Sequence, residues 1–213
     1  MARLWISDLH LGHQKVAEMR GFASVEAHDE AVLASLLALG ADDQVWILGD
    51  CSSSRPEHQQ AALAALAEVP ASLHLIAGNH DAVSSVNRDG FKHQRTYLER
   101  FDSVQQFGRV NLAGSQVLMS HYPYARSGDG PGRGEARHLE YRLPDHGYPL
   151  IHGHTHHTEP HMTRVKRVYG PPGASPVWED REETDLQQFC VSWDAHRSLV
   201  TEQQLNDWLA VCA

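Results

Sequence analysis

Seven side chains able to hold a divalent metal ion stand at short, ordered spacings along the chain: Asp8, His10, Asp50, Asn79, His121, His154 and His156. Carboxylates and imidazoles suit Mn, Fe and Zn, and an amide oxygen can complete such a shell. In an extended segment, residues two apart share a face, so Asp8-x-His10 and His154-x-His156 can each aim two ligands into one pocket. Asp50 follows Gly49 and has two carboxylate oxygens with which to bridge a pair of ions, which in two-metal sites lie roughly 3.5–4 Å apart. Histidine is unusually frequent: there are 16, and five of them, His152, His154, His156, His157 and His161, fall between residues 152 and 161. That tract is internal, broken by Gly153 and Thr155 and preceded by Leu150-Ile151, which favours a built site over a solvated histidine run.

These residues need elements to position them. Arg3–Ser7 is short and apolar and reads as a buried strand. Ser24 is a good N-cap for a helix running to Leu39, with Gly40 as its stop. Gln44–Leu48 is the next strand, Glu57–Glu68 an Ala-rich helix ended by Pro70, and Ser72–Ala77 a third strand. Strand, helix, strand, helix, strand predicts a parallel sheet with crossover helices. A short helix at Arg95–Phe101 follows, then strands at Arg109–Leu112, Gln116–Ser120, Pro149–His152, Phe189–Trp193 and Ser198–Val200. Thr201-x-x-Gln204 opens a last helix as a capping box. Two stretches rich in Gly, Pro and Arg, 125–147 and 158–185, read as long loops, the second with a hairpin at Met162–Tyr169. Each candidate ligand follows a strand, and the crevice beyond the carboxyl ends of strands is where open α/β sheets bind ligands.

Ser7-Asp8-Leu9-His10, Gly49-Asp50, Gly78-Asn79-His80-Asp81, Ser120-His121-Tyr122-Pro123 and Gly153-His154-Thr155-His156 together resemble the five blocks of calcineurin-like metallophosphoesterases, and small bacterial and phage members above all. The resemblance implies an α/β fold of two packed mixed sheets flanked by helices. It implies one metal held by Asp8, His10, Asp50 and His156 and a second by Asp50, Asn79, His121 and His154, with Mn²⁺ the first expectation and Fe or Zn the alternatives. It implies that His80 stands beside the metals as a catalytic group, protonating or stabilising the leaving oxygen, while hydroxide made available near neutral pH by the two cations attacks phosphorus. The sequence departs from the family pattern at one point. Many members carry a second acidic residue in a G-D-x-x-D block to orient the catalytic histidine, and here the segment is Gly49-Asp50-Cys51-Ser52-Ser53. Asp81 adjoins His80, but neighbouring side chains need not face each other.

Singly, each residue has a plainer reading. Asp8 and Asp50 could be caps, Asn79 and Asp81 an Asx-turn, His121 a structural histidine and Cys51 a buried thiol. His13, three residues past His10, reads more simply as packing than as a substrate contact, and Arg126, Arg133, Arg137 and Arg142 read as a solvated loop or as phosphate forks. Taken jointly, the bland readings require many coincidences.

Composition narrows the classes. A length of 213 residues suits one domain, 1–213, and a sizeable core. A net charge of -9 argues against stable binding of duplex nucleic acid, which favours basic proteins. The three cysteines, with no C-x-x-C pair, suit a reducing cytoplasm, and no apolar run spans a bilayer. The resemblance, rather than composition, implies the expected activity, a phosphodiesterase on a small nucleotide, for instance a 2′,3′-cyclic one. A nuclease on single strands and a phosphomonoesterase, including a protein phosphatase, are the alternatives. A scaffold of the same fold without chemistry is the competing class, disfavoured because no ligand is missing.

Overall fold

The computed structural model of the chain describes residues 1–125, 129, 136–158, 162–163, 166–169, 182–185 and 187–212, with backbone alone for Cys212 and between 162 and 185. In chain order the elements are β1 (Arg3–Ile6), α1 (Gln14–Met19), α2 (Val25–Leu37), β2 (Gln44–Ile47), α3 (Pro56–Leu66), β3 (Ser72–Ile76), α4 (Gln94–Leu98), β4 (Ser103–Gln105), β5 (Phe107–Leu112) and β6 (Ser115–Ser120). Then come β7 (Leu150–His152), β8 (Met162–Thr163), β9 (Lys166–Tyr169), β10 (Glu182–Asp185), β11 (Gln188–Cys190), α5 (Trp193–His196), β12 (Val200–Thr201) and α6 (Glu202–Cys212).

Two five-stranded sheets carry the fold. The first has the order β12-β1-β2-β3-β4, parallel from β1 to β4 with β12 antiparallel at the edge. The second has the order β5-β6-β7-β11-β8 and mixes parallel with antiparallel pairs. Alternation along β1 shows how the layers separate. Leu4 and Ile6 join Val45, Ile47, Leu73 and Leu75 in a core with Val32 and Leu36 of α2 and Ala62, Leu63 and Leu66 of α3. Trp5 points the other way, into a second core with Ile76, Val117, Met119, Ile151, Phe189 and Trp208 of α6. Period-two alternation thus lets one sheet bury both faces, against helices on one side and the second sheet on the other. The expected α/β architecture of two packed mixed sheets flanked by helices is the one observed.

The parallel β1-β2-β3 rhythm, the Ser24 cap and the final capping box are all present. Ser24 Oγ accepts from the Ala27 amide at 3.2 Å. Gln204 Oε1 accepts from the Thr201 amide at 2.8 Å while Thr201 Oγ1 accepts from the Gln204 amide at 3.3 Å.

Two expectations fail, and one helix is additional to those expected. The hairpin at Met162–Tyr169 does not form: β8 pairs with β11, and β9 pairs with β10 in a separate two-stranded ribbon. Long-range pairing overrides the local turn signal, and 158–185 holds strands rather than only loop. The strand written as Phe189–Trp193 ends at Cys190, because Ser192 caps α5 through its side chain. The short helix α1 has no counterpart in the sequence reading. Among the described residues, no helix is long and apolar enough to cross a membrane.

Candidate metal centre

The seven ligand candidates sit where strands end. Asp8 follows β1, Asp50 follows β2, Asn79 and His80 follow β3, His121 follows β6, and His154 and His156 follow β7. The β1 and β2 extensions stay paired past their strands: the Asp8 amide donates to Gly49 O at 2.9 Å and the His10 amide to Asp50 O at 2.9 Å. Eight described non-glycine residues have positive φ, and five of them are Asp8, His10, Asp50, His154 and His156. Such left-handed residues cost roughly 1–3 kcal/mol each and gather where a site over-determines the backbone. Close packing adds to the constraint. A Cβ at Gly78 would run into the Asp50 carboxylate, and one at Gly153 would meet Asp8 Oδ2 at 2.7 Å, so both positions admit only glycine.

The side chains converge. His10 Nε2 lies 3.1 Å from His156 Nε2, 4.0 Å from Asp8 Oδ1 and 3.7 Å from Asp50 Oδ2. His156 Nε2 is 3.5 Å from Asp8 Oδ1. On the other side of Asp50, His121 Nε2 is 3.5 Å from Asp50 Oδ2 and 3.3 Å from Asn79 Oδ1, and the His154 ring centroid is 5.2 Å from that of His121. Asp50 is therefore common to both clusters. A cleft of about 240 Å³ opens over them, lined in part by His10, Asp50, Asn79, His80, His154 and His156.

Charge in this cleft calls for a cation. Burial, reinforced by Asp8 and Asp81, pushes the Asp50 carboxyl up to about 7 against the pull of His121. Burial also holds His10 well below its usual range, assisted by His156 and His80, and lowers His154 in the same sense. The imidazoles are thus held neutral, the form in which they bind metal, and a cation among them would favour the charged Asp50 carboxylate that burial disfavours. His10 Nδ1 and His154 Nε2 are buried with no hydrogen bond. The donor set of oxygens and imidazole nitrogens thus fits divalent ions of the Mn, Fe and Zn group.

Residues 1–189 match the family model of the calcineurin-like phosphoesterase superfamily domain. The chain belongs to that superfamily. It is 42% identical over 167 residues to the Gene 66 protein of Mycobacterium phage L5, a match covering 73% of this chain and 78% of that one. The Gene 66 protein of Mycobacterium phage D29 is 40% identical over 164 residues, covering 73% and 79%. Among solved structures, the protein of unknown function AQ665 from Aquifex aeolicus superposes with a TM-score of 0.63 over 97% of this chain and 98% of that one, at 19% identity. That last likeness is one of fold. The family's chemistry is metal-dependent hydrolysis of phosphoric esters, and candidate metal-binding groups are in place.

Three partners of the site, Asp194, Arg20 and Ser54, carried no sequence signal. Asp194 Oδ2 lies 2.8 Å from His156 Nδ1 and also accepts from Arg20 Nη2 at 2.6 Å, with Arg20 Nε on Oδ1 at 2.9 Å. Burial alone would raise Asp194, but the hydrogen bonds from His156 and Arg20 hold it far below the usual carboxylate range. Arg20 reaches on to Asp8 O at 2.6 Å and Leu9 O at 3.2 Å, which locks the loop after β1. Ser54 Oγ shares a 2.9 Å hydrogen bond with His80 Nδ1 and so occupies the place of the missing acidic partner. Asp81 does not face His80. Its carboxylate accepts from the amides of Gly78, Asp50 and Cys51 at 2.8, 2.9 and 3.0 Å, stitching the ends of β2 and β3 together.

Other sequence candidates are settled by position. Cys51 is buried, its thiol pushed well up by burial, and Cys190 is likewise free and buried. His152 lies buried within β7, and His157 Nδ1 is 2.6 Å from Thr155 Oγ1. Arg137 lines the cleft and pairs with Asp129 at 2.7 Å. Arg142 is buried against the same carboxylate, whose Oδ1 is 3.4 Å from His154 Nε2. Arg126, Arg133 and His161 lie outside the described residues.

Proposed function

We propose that the chain is a dinuclear metal-dependent phosphodiesterase acting on small nucleotides, 2′,3′-cyclic nucleotides among them, with Mn²⁺ as the first metal to test. The observation that carries this reading is the pair of donor clusters sharing Asp50 at the floor of a cleft. Asp8, His10, Asp50 and His156 form the first ligand set, and Asp50, Asn79, His121 and His154 the second. When bound, the two ions supply a nucleophile near neutral pH and offset the charge that develops on the phosphoryl group.

The chain's own residues do the rest. Asp194 and Arg20 fix the ring of His156, and Leu48 O, 2.7 Å from His121 Nδ1, fixes that of His121, so each presents Nε2 to the centre. The His80 amide donates to Asp50 Oδ1 at 2.8 Å, which anchors both the carboxylate and the base of the His80 side chain. His80 Nε2 stands 4.0 Å from Asp50 Oδ2, close enough to meet the leaving oxygen of a bound ester and supply its proton. Burial and the neighbouring His13 and His121 lower His80 to about 4, so it is neutral at pH 7 until the negative charge of a bound phosphodiester arrives beside it.

A cleft of this size accommodates one ester group with its flanks open. Lys15, Arg137 and Arg197 on its rim support a second reading, a nuclease on single strands. Metal-loaded protein should turn over bis-p-nitrophenyl phosphate faster than p-nitrophenyl phosphate. Dominant monoester turnover would sink the diesterase reading, and cleavage of single-stranded DNA in preference to cyclic nucleotides would favour the nuclease.

A further inference from the structure

We propose that His13 is a further catalytic residue, a neutral hydrogen-bond donor from Nε2 to a non-bridging oxygen of the bound phosphate. This rests on the reading of the cleft as a phosphoester site and adds a residue to it.

The argument begins with α1. His13 is the N-cap of that helix, and its side chain accepts from the Val16 amide, Nδ1 standing 3.4 Å from Val16 N. An N-cap position normally takes Ser, Thr, Asp or Asn. A histidine that accepts at Nδ1 must carry its proton on Nε2 in the neutral form. The cap therefore sets the tautomer as well as the orientation of the ring. The backbone holds the position too, for the His13 amide donates to His10 O at 3.1 Å, and the Val16 and Ala17 amides both donate to His13 O at 3.0 Å.

The ring itself stands at the chemistry. His13 lines the cleft with His10, Asp50 and His80. Its ring centroid is 5.5 Å from that of His10 and 6.0 Å from that of His80, both edge-on. One ring nitrogen from each of the three histidines lies within 4.8 Å of the other two. A phosphate oxygen lying between His13 and His80 would meet the N–H of His13, and that of His80 when its Nδ1 accepts from Ser54 Oγ. Preorganised donors of this kind, aimed where charge develops, are among the largest contributions to catalysis.

His13 also lines an adjoining cavity of about 400 Å³ with Lys15, Arg55, His58 and His80. It is thus common to that cavity and the metal cleft, as are Lys15 and His80.

Two substitutions separate the cap from the donor. His13→Ser keeps a good cap acceptor and removes the donor, while His13→Gln keeps an N–H donor at similar reach and removes the favoured cap. In Mn²⁺-loaded full-length protein, His13→Ser should lose about 100-fold in kcat/KM, equally on diesters with good and poor leaving groups. It should bind inorganic phosphate about tenfold more weakly by calorimetry, at unchanged metal content and melting temperature. His13→Gln should recover most of the activity and phosphate affinity but melt lower. Nitrogen-15 spectra of the metal-free protein should show Nδ1 bare and the proton on Nε2.

Wild-type activity and phosphate affinity in His13→Ser, or a proton on Nδ1, would overturn the proposal. So would a loss confined to poor leaving groups, which would make His13 the acid, or the loss of one ion per chain, which would make it a ligand. If wild-type protein binds phosphate but hydrolyses no ester, the proposed function fails. The phosphate-binding arm then still decides whether His13 is a donor.

Discussion

Two histidines at the centre are held in opposite ways. His156 is tied through Nδ1 to Asp194, itself clamped by the buried Arg20. His80 is tied through Nδ1 to the neutral hydroxyl of Ser54 and remains half-buried at the mouth of three cavities. A carboxylate partner makes an imidazole a better metal ligand and fixes its ring. A hydroxyl fixes the ring without raising its basicity. The contrast matches the proposed division of labour, in which His156 must hold an ion permanently and His80 must exchange a proton and release it.

The most damaging test of that division is His80→Asn. In the proposed reaction it should cost roughly 10²–10⁴-fold in kcat with metal content unchanged. A loss of bound metal would erase the distinction between the two histidines. Asp194→Asn should act on the opposite side. Metal affinity should fall about 10–100-fold while kcat at saturating metal stays near wild type. Because Arg20 would lose a buried charged partner, stability should also fall, by about 3 kcal/mol, read as a lower denaturation midpoint.

The sequence showed one of these two arrangements poorly and the other not at all. His80 was legible because Gly78-Asn79-His80-Asp81 is a local block, and the ligand residues were legible because each follows a strand whose periodicity is plain. Asp194 lies far along the chain from Asp8 and Arg20. It meets them only because Ser7 and Ser192 bridge β1 to the segment after β11, a register that no local pattern encodes. Ser54 sits one residue beyond the place of the acidic residue in the G-D-x-x-D pattern. Among the fold elements, the parallel half was legible from its strand–helix alternation, whereas β8, β9 and β10 depend on long-range pairing. The cap of α1 went unread because histidine is an uncommon cap residue.

Titration gives a gentler probe of the same contrast in metal-free protein. His80 has a folded value of about 4 against 6.5 for the free side chain, so below pH 6.5 the unfolded chain binds the proton more readily. Its contribution to stability therefore falls as pH drops from about 6.5 to about 4, and His80→Asn should flatten that part of a melting-temperature profile. Asp194 has a depressed value, so its contribution is complete above the free carboxyl value of 3.8 and is lost only as pH falls below it. Asp194→Asn should leave the slope between pH 6.5 and 4 intact. A flattening there in the Asp194 variant instead would tie both histidines to one network.

The smallest expected effect concerns Ser54, and it bears most directly on why the acidic partner is absent. A hydroxyl hydrogen bond is worth about 0.5–1.5 kcal/mol net, so Ser54→Ala should cost roughly 2- to 10-fold in kcat and leave metal content alone. Ser54→Asp supplies a carboxylate next to His80 Nδ1, and a nearby negative charge favours the protonated ring. The protonated fraction of His80 should then persist to higher pH, and the pH optimum of kcat should move upward. Two results would break the comparison. A loss in Ser54→Ala as large as that in His80→Asn would mean that the hydroxyl itself acts on the substrate. An unmoved optimum in Ser54→Asp would mean that His80 does not carry the proton whose transfer limits the rate.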